Sequence, residues 1–219
     1  MTEISKKTFL NVSIVVVTIA VLTLLAHPVF ASTLDLLGIG WNKSEVTVLI
    51  KPAKGVTSQA VADVETAISD WNNAVQGIAG APYLTIMENM TARDKKADEE
   101  ADIVIHMKVG GGAVLGYALP KTISPFSCVL KSVRIQLSGK AFGENLSSAG
   151  IRNVARHELG HAFGVGHCDD PKDLMYATAD SSEIFGNSDV YIADCDINGI
   201  DAVYPLPVFC TLPDSVACL

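Results

Sequence analysis

The order of patterns along this 219-residue chain predicts an α+β fold built on one sheet. Short β-branched or alternating runs crowd into the first two-thirds, and helical spacing of apolar residues dominates the last third. A hydrophobic content of 49% with only 18% charged residues supplies a packed core and excludes a disordered chain. The formal net charge of −8 leaves no basic face for phosphates, which excludes nucleic acid as a partner. No Gly-X-Y run, heptad array or long repeat is present, so fibrous and solenoid architectures are excluded too.

Lys6 and Lys7 precede Phe9 to Ala26, a stretch without a charge, and Pro28 and Val29-Phe30-Ala31 follow. That order reads as a secretory signal peptide over residues 1–31, cleaved after Ala31. The alternative is an uncleaved membrane anchor, for which the apolar stretch is barely long enough. Either reading puts the rest of the chain outside the cytoplasm, secreted or held at the outer face of a membrane. Residues 32–45 are then a short leader, 46–208 the main domain and 209–219 a C-terminal tail. Five cysteines, Cys128, Cys168, Cys195, Cys210 and Cys218, allow two bridges and leave one thiol. Cys210 with Cys218 and Cys168 with Cys195 are the expected pairs.

Val46 to Ile50 is a β-branched strand that ends at Lys51-Pro52. Thr57 or Ser58 caps a helix whose Val61, Val64, Ile68, Trp71, Val75 and Ile78 share one face, and Gly80 with Pro82 stops it. Leu84 to Met87 is a second strand, and Thr91 to Glu100 a charged, solvated loop. Ala101 to Met107 is a third strand, broken by Gly110-Gly111-Gly112, and its His106 is expected to serve packing. Ala113 to Ala118 and Val133 to Leu137 complete the strands. Ser147 or Ser148 opens a helix that runs to about Gly164, and a last helix spans about Asp196 to Tyr204 before Pro205.

Chemistry concentrates in His157-Glu158-Leu159-Gly160-His161-Ala162-Phe163-Gly164-Val165-Gly166-His167. His157 and His161 stand one helical turn apart, so both imidazoles leave the same face and can hold one Zn²⁺. Gly164 can end the helix with a positive φ, and the bend lets His167 supply a third nitrogen. Three protein ligands leave a position open for water, the mark of a catalytic site rather than a structural one. Glu158, turned about 100° round the helix, reaches that water as general base. These residues predict a zinc-dependent hydrolase acting on peptide bonds. The alternative is a non-catalytic surface or adhesion module that keeps a structural metal, with Cys168 as the nearby group able to close the site.

The motif, with Met175 following in Asp173-Leu174-Met175-Tyr176, resembles the metzincin zinc endopeptidases and, within them, the matrixins. Ala67 to Asn72, Leu84-Thr85-Ile86, Ala101-Asp102-Ile103, Leu115 to Pro120 and Asp196 to Tyr204 are similar to further segments of that family. The resemblance implies a twisted, mostly parallel five-stranded sheet with three helices and a zinc cleft between upper and lower subdomains. It makes Met175 the apolar floor beneath the metal. Leu115, Gly116, Tyr117 and Ala118 become the edge that pairs with an extended protein or peptide substrate. The loop from Ala177 to Ala193 becomes a wall of the specificity pocket, with no strong charge preference. Structural Ca²⁺ is implied by analogy, yet no acidic loop in the sequence assigns it. A second zinc is not supportable with His106 alone, and no cysteine switch is present. The protein is expected to act as a monomer.

Overall fold

The computed structural model describes residues 32–87 and 95–218. The signal-or-anchor segment, 1–31, lies outside the described residues. Strands β1 (Ser32–Leu36), β2 (Glu45–Pro52), β3 (Tyr83–Ile86), β4 (Ile103–Lys108), β5 (Gly116–Thr122) and β6 (Leu130–Ser138) come first in the chain. The short pair β7 (Lys140–Ala141) and β8 (Glu144–Asn145), then β9 (Val165–Cys168) and β10 (Ser215–Cys218), follow. Helices are α1 (Ser58–Ala74), α2 (Lys95–Glu100), α3 (Ser148–Phe163), α4 (Ser181–Phe185) and α5 (Asp194–Val203).

Five strands form one sheet in the order β3-β2-β4-β6-β5. The β2–β3, β2–β4 and β4–β6 pairs are parallel, and β5 closes the edge antiparallel to β6. Val46, Val48, Ile103, Ile105, Val133, Ile135 and Leu137 alternate onto one buried face, as the pleat requires. Helices α1 and α3 cover it. Val64, Ala67, Ile68 and Trp71 of α1 are buried there, and the Trp71 ring lies 5.1 Å from that of Phe163 on α3. Trp71 Nε1 also donates to Arg156 O at 2.8 Å, which satisfies its one polar atom inside the core. The mostly parallel sheet and its three longer helices agree with the α+β expectation.

Thr57 caps α1 by accepting from Ala60 N. The helix ends at Ala74, four residues before the expected Ile78, because Gln76 and Ile78 bond three residues back and tighten the last turn. The expected loop up to Glu100 is corrected over its described part: residues 95–100 form α2. Its Ala97, with Ala101 beyond it, packs on Leu49 and Val104, and Asp98 pairs with Lys51. β5 begins at Gly116 rather than Ala113, since Ser138 donates from N and Oγ to Leu115 O and Val114 O and holds those residues off the regular ladder.

A second sheet has the order β10-β1-β9, so residues 32–36 form its middle strand and residues 215–218 an outer one. Leu34 and Leu36 of β1 are buried. The expected cysteine pairs are corrected: the bridges are Cys128–Cys210 and Cys195–Cys218, and Cys168 is free and buried. The antiparallel run of β10 along β1 carries Cys218 away from Cys210 and up to α5. Cys168 nevertheless sits beside that bridge, its Sγ and those of Cys195 and Cys218 all lying within 4.8 Å of one another.

Candidate metal centre and cleft

Helix α3 starts at Ser147, whose side chain accepts from Gly150 N, and carries His157, Glu158 and His161 in its last two turns. Gly164 ends it at φ 101°, a conformation costly for a side chain, and a methyl group there would strike Ile39 O. The chain reverses into β9, whose alternation turns His167 outward to the cleft and Cys168 inward to the core. The three histidines thereby converge: one ring nitrogen from each lies within 4.8 Å of the others. Ring centroids are 4.7 Å apart for His157–His161, 4.9 Å for His161–His167 and 5.4 Å for His157–His167.

Backbone carbonyls orient two of the rings. His157 Nδ1 donates to Leu174 O at 2.8 Å and His161 Nδ1 to Val165 O at 2.9 Å, which leaves each Nε2 lone pair for a metal. Burial lowers the pKa of His157, and burial with the His157 charge pushes His161 down to about 4, so both rings are neutral at physiological pH. Glu158 is only 5% exposed, its Oε2 has no hydrogen-bond partner, and burial pushes its carboxyl up to about 8. Neutral imidazoles converging beside an orphaned carboxylate oxygen fit a divalent cation, and an all-nitrogen set of three suits Zn²⁺.

Met175 is fully buried and packs so tightly on Gly160 that a methyl group there would overlap its sulfur. Its turn is fixed by Cys168 N donating to Met175 O and Met175 N donating to Asp173 Oδ1. Leu115, Gly116, Tyr117 and Ala118 all border a cleft of about 570 Å³ that holds the three histidines and Glu158. Gly116 lies against Glu158: a methyl group on it would be 2.6 Å from Glu158 Oε1. Tyr117 donates its hydroxyl to Gln136 across the strand pair. His106, on β4, joins no ligand cluster among the described residues.

The opposite wall comes from Tyr176 to Ala179, α4 and Val190, as the 177–193 expectation proposed. A capping box between Asp180 and Glu183 fixes the start of α4. Sequence reading missed what ties this wall to α3. Asn153 donates to Glu183 O and Ser188 O and accepts from Val190 N. Arg152 pairs with Asp63 and Asp189, and buried Arg156 pairs with Asp70 and Asp189. Those bonds to Arg152 and Arg156 hold the Asp189 carboxyl down at about 2. The signal was two arginines four apart on a buried helix, a spacing that demands acidic partners. Asp189 is consumed by this network and does not border the cleft.

Stretches of known proteins are similar in sequence to this chain. The chain is 38% identical over 60 residues to interstitial collagenase of Equus caballus, covering 27% of this chain and 12% of that protein. It is 41% identical over 61 residues to matrix metalloproteinase-20 of Homo sapiens, with the same coverages of 27% and 12%. Matrilysin of Homo sapiens is 41% identical over 63 residues, 26% of this chain and 21% of that protein. The chain thus spans between about an eighth and a fifth of these relatives. The family profile described as Matrixin matches residues 40–205, from just ahead of β2 to just past α5. With three converging histidines, the buried methionine turn and that match over most of its length, the chain belongs to the matrixin family.

Proposed function

We propose that this protein is an exported zinc endopeptidase that hydrolyses internal peptide bonds of protein substrates. The observation that carries the reading is Glu158: a buried, unpartnered carboxylate oxygen beside three convergent imidazoles has no structural use. His157, His161 and His167 would hold the ion. When bound, zinc supplies Lewis acidity toward a carbonyl oxygen and makes a water proton easier to remove. The free edge of β5 from Gly116 to Ala118, with Leu115 just ahead of it, offers backbone donors and acceptors to an extended peptide. A divalent cation held beside it would favour the ionised form of Glu158, which takes the proton of the attacking water and delivers it to the leaving amine.

Among the described residues no helix is long and apolar enough to cross a membrane. Export rests on the Lys6-Lys7 and Phe9–Ala26 pattern, and native protein sequenced from its N-terminus should begin at Ser32. The structural-metal alternative needs a fourth protein ligand, and Cys168 points instead into the sulfur group with Cys195 and Cys218. Metal analysis should find one zinc per chain, and peptide cleavage should stop on chelation and return with zinc. Glu158→Ala should keep the zinc and lose about 10²–10⁴ in kcat. A folded, purified protein that binds no zinc overturns the proposal, as does cleavage that survives in Glu158→Ala.

A further inference from the structure

The turn between β7 and β8 contains two residues, Phe142 at φ 50° and Gly143 at φ 90°. A two-residue hairpin with both central φ values positive favours Asn-Gly, because a side chain in the left-handed region crowds its own carbonyl. Phenylalanine is among the poorest choices there. Burial offers no compensation, since Phe142 is 74% exposed. An outlier of this kind marks a place where the side chain does something other than fold the chain.

Its position says what. Phe142 borders the cleft that holds the histidines and Glu158, and so does Val114, itself 62% exposed. Backbone contacts hold the two segments together. Gly111 packs against Lys140 O so closely that no side chain fits, and Ser138, two residues before β7, donates to both Val114 O and Leu115 O. Two exposed apolar side chains thus border the same cleft from segments that these backbone contacts tie together. Gly116 marks the reacting centre through its contact with Glu158, and Val114 lies two residues before it, roughly 7 Å if the chain there is extended.

We propose that Phe142 and Val114 form an apolar subsite that selects the substrate on the carboxy-terminal side of the scissile bond. The inference rests on the endopeptidase reading above. An extended peptide added antiparallel to β5, the more stable pairing, runs opposite to that strand. Its residues beyond the cleaved bond therefore pass Val114 and Phe142, and the second or third of them meets the Phe142 ring. That residue is aliphatic or aromatic, and an acidic residue there would lose its hydration against two apolar walls.

The test uses the full-length, zinc-loaded protein on fluorogenic peptides varied at the second and third positions past the cleavage site. Wild type is expected to prefer Leu or Phe over Glu by about tenfold or more in kcat/KM, the scale of burying one apolar side chain. Phe142→Asn should shrink that ratio to within about threefold, chiefly through KM, and Phe142→Tyr should preserve it. Phe142→Asn should also raise Tm by about 2–4 °C, because asparagine suits the left-handed turn. An unchanged preference in Phe142→Asn, or a Tm that stays level or falls, overturns the subsite. Wild type that cuts no peptide instead overturns the endopeptidase reading and this inference with it.

Discussion

Glu158 carries an energetic penalty that a change of pH can expose. Below about pH 4.5 its carboxyl is protonated in both the folded and the unfolded chain, so burial is nearly neutral. Between there and about pH 8 the unfolded chain releases the proton while the folded chain retains it. The folded state therefore binds more protons, and stability falls as pH rises through that window, by about 1.4 kcal/mol per unit at most. Chelator-treated Glu158→Gln should accordingly be more stable than wild type at pH 8, by about 4 kcal/mol, and nearly equal to it near pH 4.5. Denaturant melts at the two pH values measure this, and an equal gap at both would contradict the burial account. His161 supplies a complementary expectation. With its pKa held at about 4, protons do not compete for that ring until the solution is well acidic. Zinc affinity measured by competition should lose little to His161 between pH 7 and pH 5.5. Gly116→Ala should abolish cleavage while leaving the zinc in place, because the new methyl group would displace the Glu158 carboxylate.

At the level of elements, α3 does two jobs with two faces. Its C-terminal turns deliver His157, Glu158 and His161, and Arg152, Asn153 and Arg156 brace the wall that carries α4. Asp189→Ala would leave Arg152 and Arg156 each short of a carboxylate, one of them nearly fully buried. The expected cost is about 3 kcal/mol, together with a raised KM as the 181–190 segment loosens. Thermal melts and Michaelis curves on one preparation check both. The helix itself was legible in sequence to within a residue, since Ser147 and Gly164 are strong end signals. The convergence of His157 and His161 was legible because helical geometry fixes the four-residue spacing. The bracing was not, because Asp63, Asp70 and Asp189 are distant in sequence and only the tertiary fold brings them to the arginines. For the same reason α2 was read as solvated: its charges are evident in sequence, whereas Leu49 and Val104, which it covers, belong to other strands.

For the whole molecule the two bridges act at different ranges. Cys128–Cys210 spans 82 residues, and its loss should cost about 4 kcal/mol on a chain-entropy account; Cys195–Cys218 spans 23 and should cost about 3 kcal/mol. The expected pairing of Cys168 with Cys195 failed in the native fold, yet the three sulfurs stand within reach of one another. Cys218→Ser should therefore let Cys195 bond to Cys168, a species that peptide mapping under non-reducing conditions would reveal. Recovering only free Cys168 and free Cys195 would contradict the geometry.

The sheet order β10-β1-β9 has a mechanical consequence. His167 rides on a strand whose lateral neighbour is β1, and the outer rail beyond β1 is β10. A fusion partner spliced just ahead of Ser32, or a protease nick just before Ser215, would thus pull on the third histidine of the proposed metal site before disturbing the helix that carries the first two.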